Sequence, residues 1–216
     1  MNVQYKVLHA ETFGCAGSKT EEDDVKFIVF CGLDGAGKTT LLRRIRTHIQ
    51  EIEDQGDPND DTKDPMQHEV RAAKVEEMDT VPTIGVEAYQ LQLRGLPLNI
   101  LDLSGQEAFR VHWKRYDGQT DLIIFVVDAS NRSRLEEARK TLNDFILNNQ
   151  AICNKPLLIV GNKNDLEGAI TVEQLVEGLF GKDAEKQVIN RSYHVLSTSA
   201  LRGDGVRFLM EWFLRK

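Results

Sequence analysis

The run Gly32-Leu33-Asp34-Gly35-Ala36-Gly37-Lys38-Thr39, followed by Thr40, constrains this fold more than any other feature. It fits the Walker A pattern, which needs a strand before it and a helix after it. Both are readable. Val25–Cys31 is an apolar run ending at a glycine, the sign of a buried strand, and Gly37–Glu53 carries Leu41, Leu42, Ile45, Ile49 and Ile52 along one side of a helix. The glycines let the backbone wrap closely, so that N–H groups converge on phosphate oxygens. The helix N-terminus adds partial positive charge. Gly32, Leu33, Asp34, Gly35, Ala36, Gly37, Lys38, Thr39 and Thr40 are therefore the candidate phosphate-binding residues. Lys38 reaches for the β- and γ-phosphates and the Thr39 hydroxyl suits Mg²⁺. The motif specifies a nucleoside triphosphate without choosing the base.

The remaining elements follow the same alternation. Val86–Leu93 reads as a strand, Arg94-Gly95-Leu96-Pro97 as a turn, and Leu98–Leu103 as the second arm of a hairpin. Leu122–Val127 and Leu157–Val160 are continuous apolar runs, expected of strands buried on both faces. Between them Leu135, Ala138, Leu142 and Ile146 form a helical stripe, and Val206, Leu209, Met210 and Phe213 form another near the end. Strands alternating with helices imply an α/β fold with a mostly parallel sheet covered on both sides. Residues 1–24 are polar and read as an extension outside the core, which leaves 25–216 as the domain.

Three further clusters of polar residues each follow a predicted strand. Asp102-Leu103-Ser104-Gly105-Gln106 closes Leu98–Leu103. A carboxylate at a strand's carboxyl end lies beside the phosphate loop in such a sheet. Asp102 can hold Mg²⁺, the Gly105 N–H can meet a γ-phosphate, and Gln106 can orient an attacking water. Asn162-Lys163-Asn164-Asp165 follows Leu157–Val160. The Asp165 carboxylate can accept from guanine N1–H and the 2-amino group, a donor pair that adenine lacks. Lys163 can cover one face of the base, and Asn162 can tie this loop to the phosphate loop. Thr198-Ser199-Ala200 follows the strand-like Tyr193–Leu196, where Ser199 and the Ala200 N–H can face guanine O6. Thr83, after Pro82, is a candidate second hydroxyl for Mg²⁺. Each short cluster is uninformative alone. Their order and spacing together describe one guanine-nucleotide pocket.

Composition excludes other classes. No run approaches the roughly 18–20 apolar residues of a membrane span. No signal peptide is visible in Met1–Ala10. Cys15, Cys31 and Cys153 show no metal-ligand spacing and read as thiols of a reducing compartment. The net charge of −7 argues against nucleic acid. Its location is more telling: Glu51–Thr80 holds 11 acidic residues against three basic ones, so the rest of the chain is nearly neutral. Residues 55–79 form an acidic insert that composition assigns to disorder, with a short helix over Met66–Met78 as the alternative. It is a solvated spacer, a dock for a basic partner, or a cover that gates nucleotide exchange.

Gly-Leu-Asp-Gly-Ala-Gly-Lys-Thr-Thr (32–40), Pro-Thr-Ile-Gly (82–85), Asp-Leu-Ser-Gly-Gln (102–106), Asn-Lys-Asn-Asp (162–165) and Gly-Asp-Gly (203–205) together resemble the ADP-ribosylation factor and Arf-like small GTPases. The likeness spans about residues 25–216 and marks a divergent member. It implies the P-loop small G-protein fold, a six-stranded mostly parallel sheet flanked by about five helices. It also implies a GDP/GTP switch with Mg²⁺ and a role in vesicle trafficking, cilia or the cytoskeleton. Implied partners are an exchange factor, a GTPase-activating protein and effectors. These would read switch I (Thr83–Val86), the interswitch hairpin and switch II (Gln106–Tyr116).

The departures from that pattern shape the remaining expectations. Asn2 replaces the family's glycine, so N-myristoylation is not expected. Val3, Val7 and Leu8 make only a short stripe for an amphipathic membrane helix. The expected location is the cytoplasm, with peripheral membrane contact as the alternative, and the expected state is a monomer. Val86 and Leu101 stand where the family has Phe and Trp, which thins the effector patch, while Tyr116 matches. Ser104 stands where glycine is usual, beside backbone that must reorganise on switching. About 25 extra residues precede Pro82, judged by the short link normal in this fold. Val81–Gly85 holds no arginine, so hydrolysis is expected to be slow until a partner supplies one. The rival reading is a GTP-binding interaction module that barely hydrolyses. An ATP-using small kinase is opposed by Asn162–Asp165.

Overall fold

The structure, a computed structural model, describes residues 5–8, 25–54, 83–181 and 193–215. The acidic insert, Pro82 and most of the N-terminal extension lie outside these. The strands are β1 (Tyr5–Leu8), β2 (Lys26–Gly32), β3 (Val86–Leu93), β4 (Leu96–Leu103), β5 (Leu122–Asp128), β6 (Leu157–Asn162) and β7 (Tyr193–Ser197). The helices are α1 (Lys38–Asp54), α2 (Glu107–Arg110), α3 (Leu135–Leu142), α4 (Val172–Phe180) and α5 (Val206–Arg215). The sheet order is β1-β7-β6-β5-β2-β4-β3. The inner five strands run parallel, while β3 and β1 close the two edges antiparallel.

The six expected strands are all present, and a seventh joins them. Tyr5–Leu8, read from sequence as part of an extension outside the core, pairs with β7 in the register Tyr5↔Leu196 to Leu8↔Tyr193. The physical reason is that β7 would otherwise present an unpaired row of backbone donors and acceptors. Val7 and Leu8 therefore belong to a strand rather than to an amphipathic helix.

Alternate residues of the central strands feed two cores. Ile123, Phe125 and Val127 of β5 pack with Leu157 and Ile159 of β6 under α3 and α4. Leu122, Ile124 and Val126 face the other side with Ile28, Phe30 and Leu158, under α1 and α5. Both faces of these strands are dry, which explains why they read as unbroken apolar runs. On α1 the predicted stripe of Leu41, Leu42, Ile45 and Ile49 is buried in the second core. On α5, Phe213 meets Phe30 edge to face at 6.5 Å between ring centroids.

Two details differ from the sequence expectation. The hairpin turn is tighter than Arg94–Pro97, because Arg94 (φ 49°) and Gly95 (φ 81°) make the reversal alone and Leu96 and Pro97 enter β4. Two residues at positive φ match the right-handed twist of the flanking strands. The stripe Leu135–Ile146 is α-helical only to Leu142 and continues as a π-helical turn over Asn143–Leu147. Among the described residues no helix is long and apolar enough to cross a membrane.

Candidate functional site

The carboxyl ends of β2, β4, β5, β6 and β7 meet at one rim, and all but β5 deliver a loop that the sequence singled out. The loop after β2 passes into α1, whose first residue is Lys38. Lys38 is buried, and its Nζ donates to the carbonyls of Gly32 (3.2 Å) and Leu33 (2.8 Å). Burial pushes this ammonium below its ordinary value, while Asp102 opposes the shift. A bound phosphate would supply the negative charge that such a lysine needs.

Asp102 is the penultimate residue of β4, and Thr83 lies three residues before β3. Thr39 Oγ1 donates to Asp102 Oδ2 at 2.5 Å and lies 2.9 Å from Thr83 Oγ1. Two hydroxyls and a carboxylate from three separate segments thus converge. The other Asp102 oxygen, Oδ1, is buried with no partner among the described residues. A buried acceptor without a donor is costly, and a hydrated cation would satisfy it. Desolvation pushes the Asp102 carboxyl up, with the Thr39 hydrogen bond and Lys38 pulling it down. One carboxylate and two hydroxyls make an incomplete set of hard oxygen ligands. They fit Mg²⁺, which commonly takes its remaining ligands from phosphates and water.

Gly105 packs directly on the phosphate loop, where a Cβ would run into the backbone of Gly32, Leu33 and Asp34. Glycine is required there. The segment around it is held on every side. Ser104 N–H donates to Gly85 O at 2.9 Å, Trp113 Nε1 donates to Ser104 O at 2.9 Å, and Gln106 N–H reaches Ser104 Oγ at 3.4 Å. The Thr83–Val86 segment and Ser104, two residues before Gln106, are therefore hydrogen-bonded to each other. Ser104 is buried, and its side chain occupies this joint.

The two candidate base loops are tied together by Asn162. Its Nδ2 donates to Ala36 O at 2.9 Å, and its Oδ1 accepts from Thr198 Oγ1 (3.2 Å) and from the Ala200 N–H (3.1 Å). The expected link from Asn162 to the phosphate loop is thus present, and Thr198 is a further member that sequence reasoning left aside. The Ala200 N–H, read as a donor to guanine O6, here faces Asn162. Gly37 permits the contact, since a Cβ on it would collide with the Asn162 amide. Lys163 sits at φ 66°, unusual for a lysine, and its Nζ pairs with Asp128 Oδ2 at 2.6 Å. Burial raises the Asp128 carboxyl, but hydrogen bonds from Lys163 and Ser130 outweigh it and hold the group below the usual carboxylate range. The backbone of Asn164 donates to Thr198 O at 3.0 Å, which aligns the loop carrying Asp165 with that of Ser199.

Several contributors carry no sequence signal because their partners lie far along the chain. Arg44 of α1 donates to Ala200 O at 3.0 Å and also bonds Leu201 O. Arg134 donates to Asp34 O and Asp34 Oδ1, both at 2.8 Å, and pairs with Glu137. Arg110 of α2 joins the same cluster. The Arg134 hydrogen bonds hold both Asp34 and Glu137 below the usual carboxylate range.

A mostly parallel sheet with a phosphate loop after β2, a Thr–Thr–Asp corner of oxygen donors and an Asn-x-x-Asp loop after β6 defines a P-loop protein of the small G-protein type. The sequence model of the ADP-ribosylation factor family matches residues 65–216. ADP-ribosylation factor F of Dictyostelium discoideum is 32% identical over 188 residues, covering 87% of this chain and 83% of that protein. ADP-ribosylation factor-like protein 1 of Drosophila melanogaster is 30% identical over 185 residues, 86% of this chain and 85% of that one. The chain belongs to the ADP-ribosylation factor family, and is an Arf-like small GTPase. Among solved structures it is similar to the Arl6 BBS3 small GTPase of Trypanosoma brucei with the bound nucleotide analogue GppNp. That match has a TM-score of 0.68 and 25% identity, over 88% of this chain and 95% of the other.

Proposed function

We propose that this protein is a regulatory switch that binds GTP or GDP with Mg²⁺ and hydrolyses GTP slowly. The observation that carries the reading is the meeting of Thr39, Thr83 and Asp102 around a buried, unpartnered carboxylate oxygen. Residues 32–40 and Gly105 would hold the phosphates, and Asn162, Lys163, Asp165, Ser199 and Ala200 the guanine. Thr39, Thr83 and Asp102 would hold Mg²⁺, which when bound would neutralise charge on the phosphates. Gln106, half-exposed beside Gly105, would orient the attacking water. Arg110 and Arg134 lie near the phosphate loop, but both are committed to carboxylates and carbonyls. The hydrolytic arginine is therefore assigned to a GTPase-activating partner.

Exposed Ile84 in switch I and Val111 in switch II support an effector surface across Thr83–Val86, the interswitch hairpin and Gln106–Tyr116. Family membership supports a cytoplasmic monomer acting in vesicle trafficking, ciliary or cytoskeletal regulation, with an exchange factor opposing the activating protein. The acidic insert at 55–79 is proposed as a solvated spacer within the 25–216 domain.

The test is single-turnover hydrolysis by protein loaded with GTP and Mg²⁺. We expect an unaided rate below about 10⁻² s⁻¹, and a further 10- to 100-fold loss, roughly, in Gln106→Leu. Fast unaided turnover would overturn the reading of a slow switch that awaits a partner's arginine, and a Gln106→Leu rate equal to the parent's would overturn the role of Gln106. The latter result would favour a GTP-binding interaction module, which the buried Ser104 at the backbone of Gln106 already motivates. Competition in which ATP displaces the bound nucleotide better than GTP would sink both.

A further inference from the structure

The peptide unit between Gly105 and Gln106 is held at both of its polar atoms. Its N–H, that of Gln106, reaches Ser104 Oγ at 3.4 Å. Its carbonyl, that of Gly105, accepts from Arg110 Nε at 2.8 Å. The Arg110 guanidinium is almost fully buried, with a side-chain exposure of 7%. Its other nitrogens bond Thr141 Oγ1 (3.2 Å) and Glu137 Oε1 (2.7 Å) on α3, and approach Asp34 Oδ1 of the phosphate loop to 3.7 Å. Arg134 neutralises the remaining charge on Asp34 and Glu137, so the cluster is two guanidiniums against two carboxylates. One planar group thus joins the phosphate loop, switch II and α3. A guanidinium spreads its donors over three nitrogens in one plane, so that each serves a different acceptor here: a carbonyl, a hydroxyl and a carboxylate.

We infer that Arg110 is a positioning residue for hydrolysis: anchored on Glu137 and Thr141, it fixes through the Gly105 carbonyl the peptide on which Gln106 stands. The inference rests on the reading of Gln106 and of the Gly105 N–H given above. Arg110 acts through Gly105 and is not itself placed against the reacting atoms. Loosening it frees the backbone at Gly105, so that the peptides on both sides of this residue can turn. That misaims both the Gln106 side chain and the Gly105 N–H, while the guanine and β-phosphate contacts stay as they are. A purely structural arginine would instead weaken every nucleotide complex alike.

The experiment uses the full chain with Mg²⁺ and compares Arg110→Lys, Glu137→Gln and Gln106→Leu. Lysine keeps the charge but offers a single point of donation. We expect Arg110→Lys to slow single-turnover hydrolysis about 10-fold and to lower the ratio of GTP to GDP affinity, with GDP affinity changed by no more than about twofold. Glu137→Gln should move the same quantities in the same direction by less. Parallel losses of GTP and GDP affinity with an unchanged rate would show Arg110 to be structural only and overturn the proposal. Should Arg110→Lys fail to fold, Glu137→Gln is judged by the same criteria. If Gln106→Leu hydrolyses at the parent rate, the reading of Gln106 fails on its own. The GTP-to-GDP affinity ratio of Arg110→Lys then still decides whether Arg110 positions Gly105.

Discussion

At the scale of single residues, base choice and charge pairing are separable. Asp165 supplies the carboxylate proposed to accept two guanine donors, and Asn162 supplies the brace beneath it. Asp165→Asn removes one acceptor and adds a donor facing donors. Hydrogen bonds to a charged group contribute roughly 1.5–3 kcal/mol each, so GTP affinity should fall about 100-fold or more in a binding titration. The Asp34–Arg134–Glu137 pairing makes a pH prediction. Both carboxyls are held down in the folded state, first by the Arg134 hydrogen bonds. Their contribution is therefore fully present above the ordinary carboxylate range and is lost as pH falls through the lowered folded values. The thermal midpoint of Arg134→Ala should lie below the parent's at neutral pH. The gap should close below about pH 4. These groups are partly exposed, so the gap should also shrink with salt. The motif residues were readable because each has a fixed chemical role at fixed spacing. Arg134 and Arg110 were not, since a charged residue on a helix gives no hint of a partner a hundred positions away.

Elements convey these residues to the rim. Helix α1 carries Thr39 at its start and Arg44 one turn on, where it holds the carbonyls of Ala200 and Leu201. Arg44→Ala should loosen the base loop and raise the rate of GDP release, measured by displacement of a fluorescent nucleotide. A release rate equal to the parent's would remove Arg44 from the site. Helix α4 is N-capped by Thr171, whose side chain and N–H exchange hydrogen bonds with Gln174. That Thr-x-x-Gln pattern is a legible start signal that the reading above passed over. Thr171→Ala should cost about 1 kcal/mol in denaturant unfolding. The hairpin shows the opposite limit. Its strands were plain from alternation, but the two-residue turn depends on Arg94 adopting positive φ, a conformation few sequence rules would assign to arginine.

For the whole molecule, the decisive feature is the order of strands. The interswitch hairpin β3–β4 forms one edge of the sheet, and β1 closes the opposite edge on β7. The described part of the N-terminal segment is thus remote from the switches in this conformation. Deleting residues through Leu8 should expose the β7 edge and lower the thermal midpoint by a few degrees, while Gln106-dependent hydrolysis is retained; loss of hydrolysis would mean that the segment reaches the site. The sequence by itself determined the fold class and nominated the phosphate loop, the guanine loop and the hydroxyl and carboxylate candidates. These are local patterns, in which residue type and spacing carry the chemistry. Only the tertiary structure decided that Thr39, Thr83 and Asp102 meet within hydrogen-bonding distance, that Asn162 also holds Thr198 and Ala200, and that Arg110 bonds the Gly105 carbonyl before Gln106. Those contacts join segments separated by tens of residues, and it is the sheet order that brings them together.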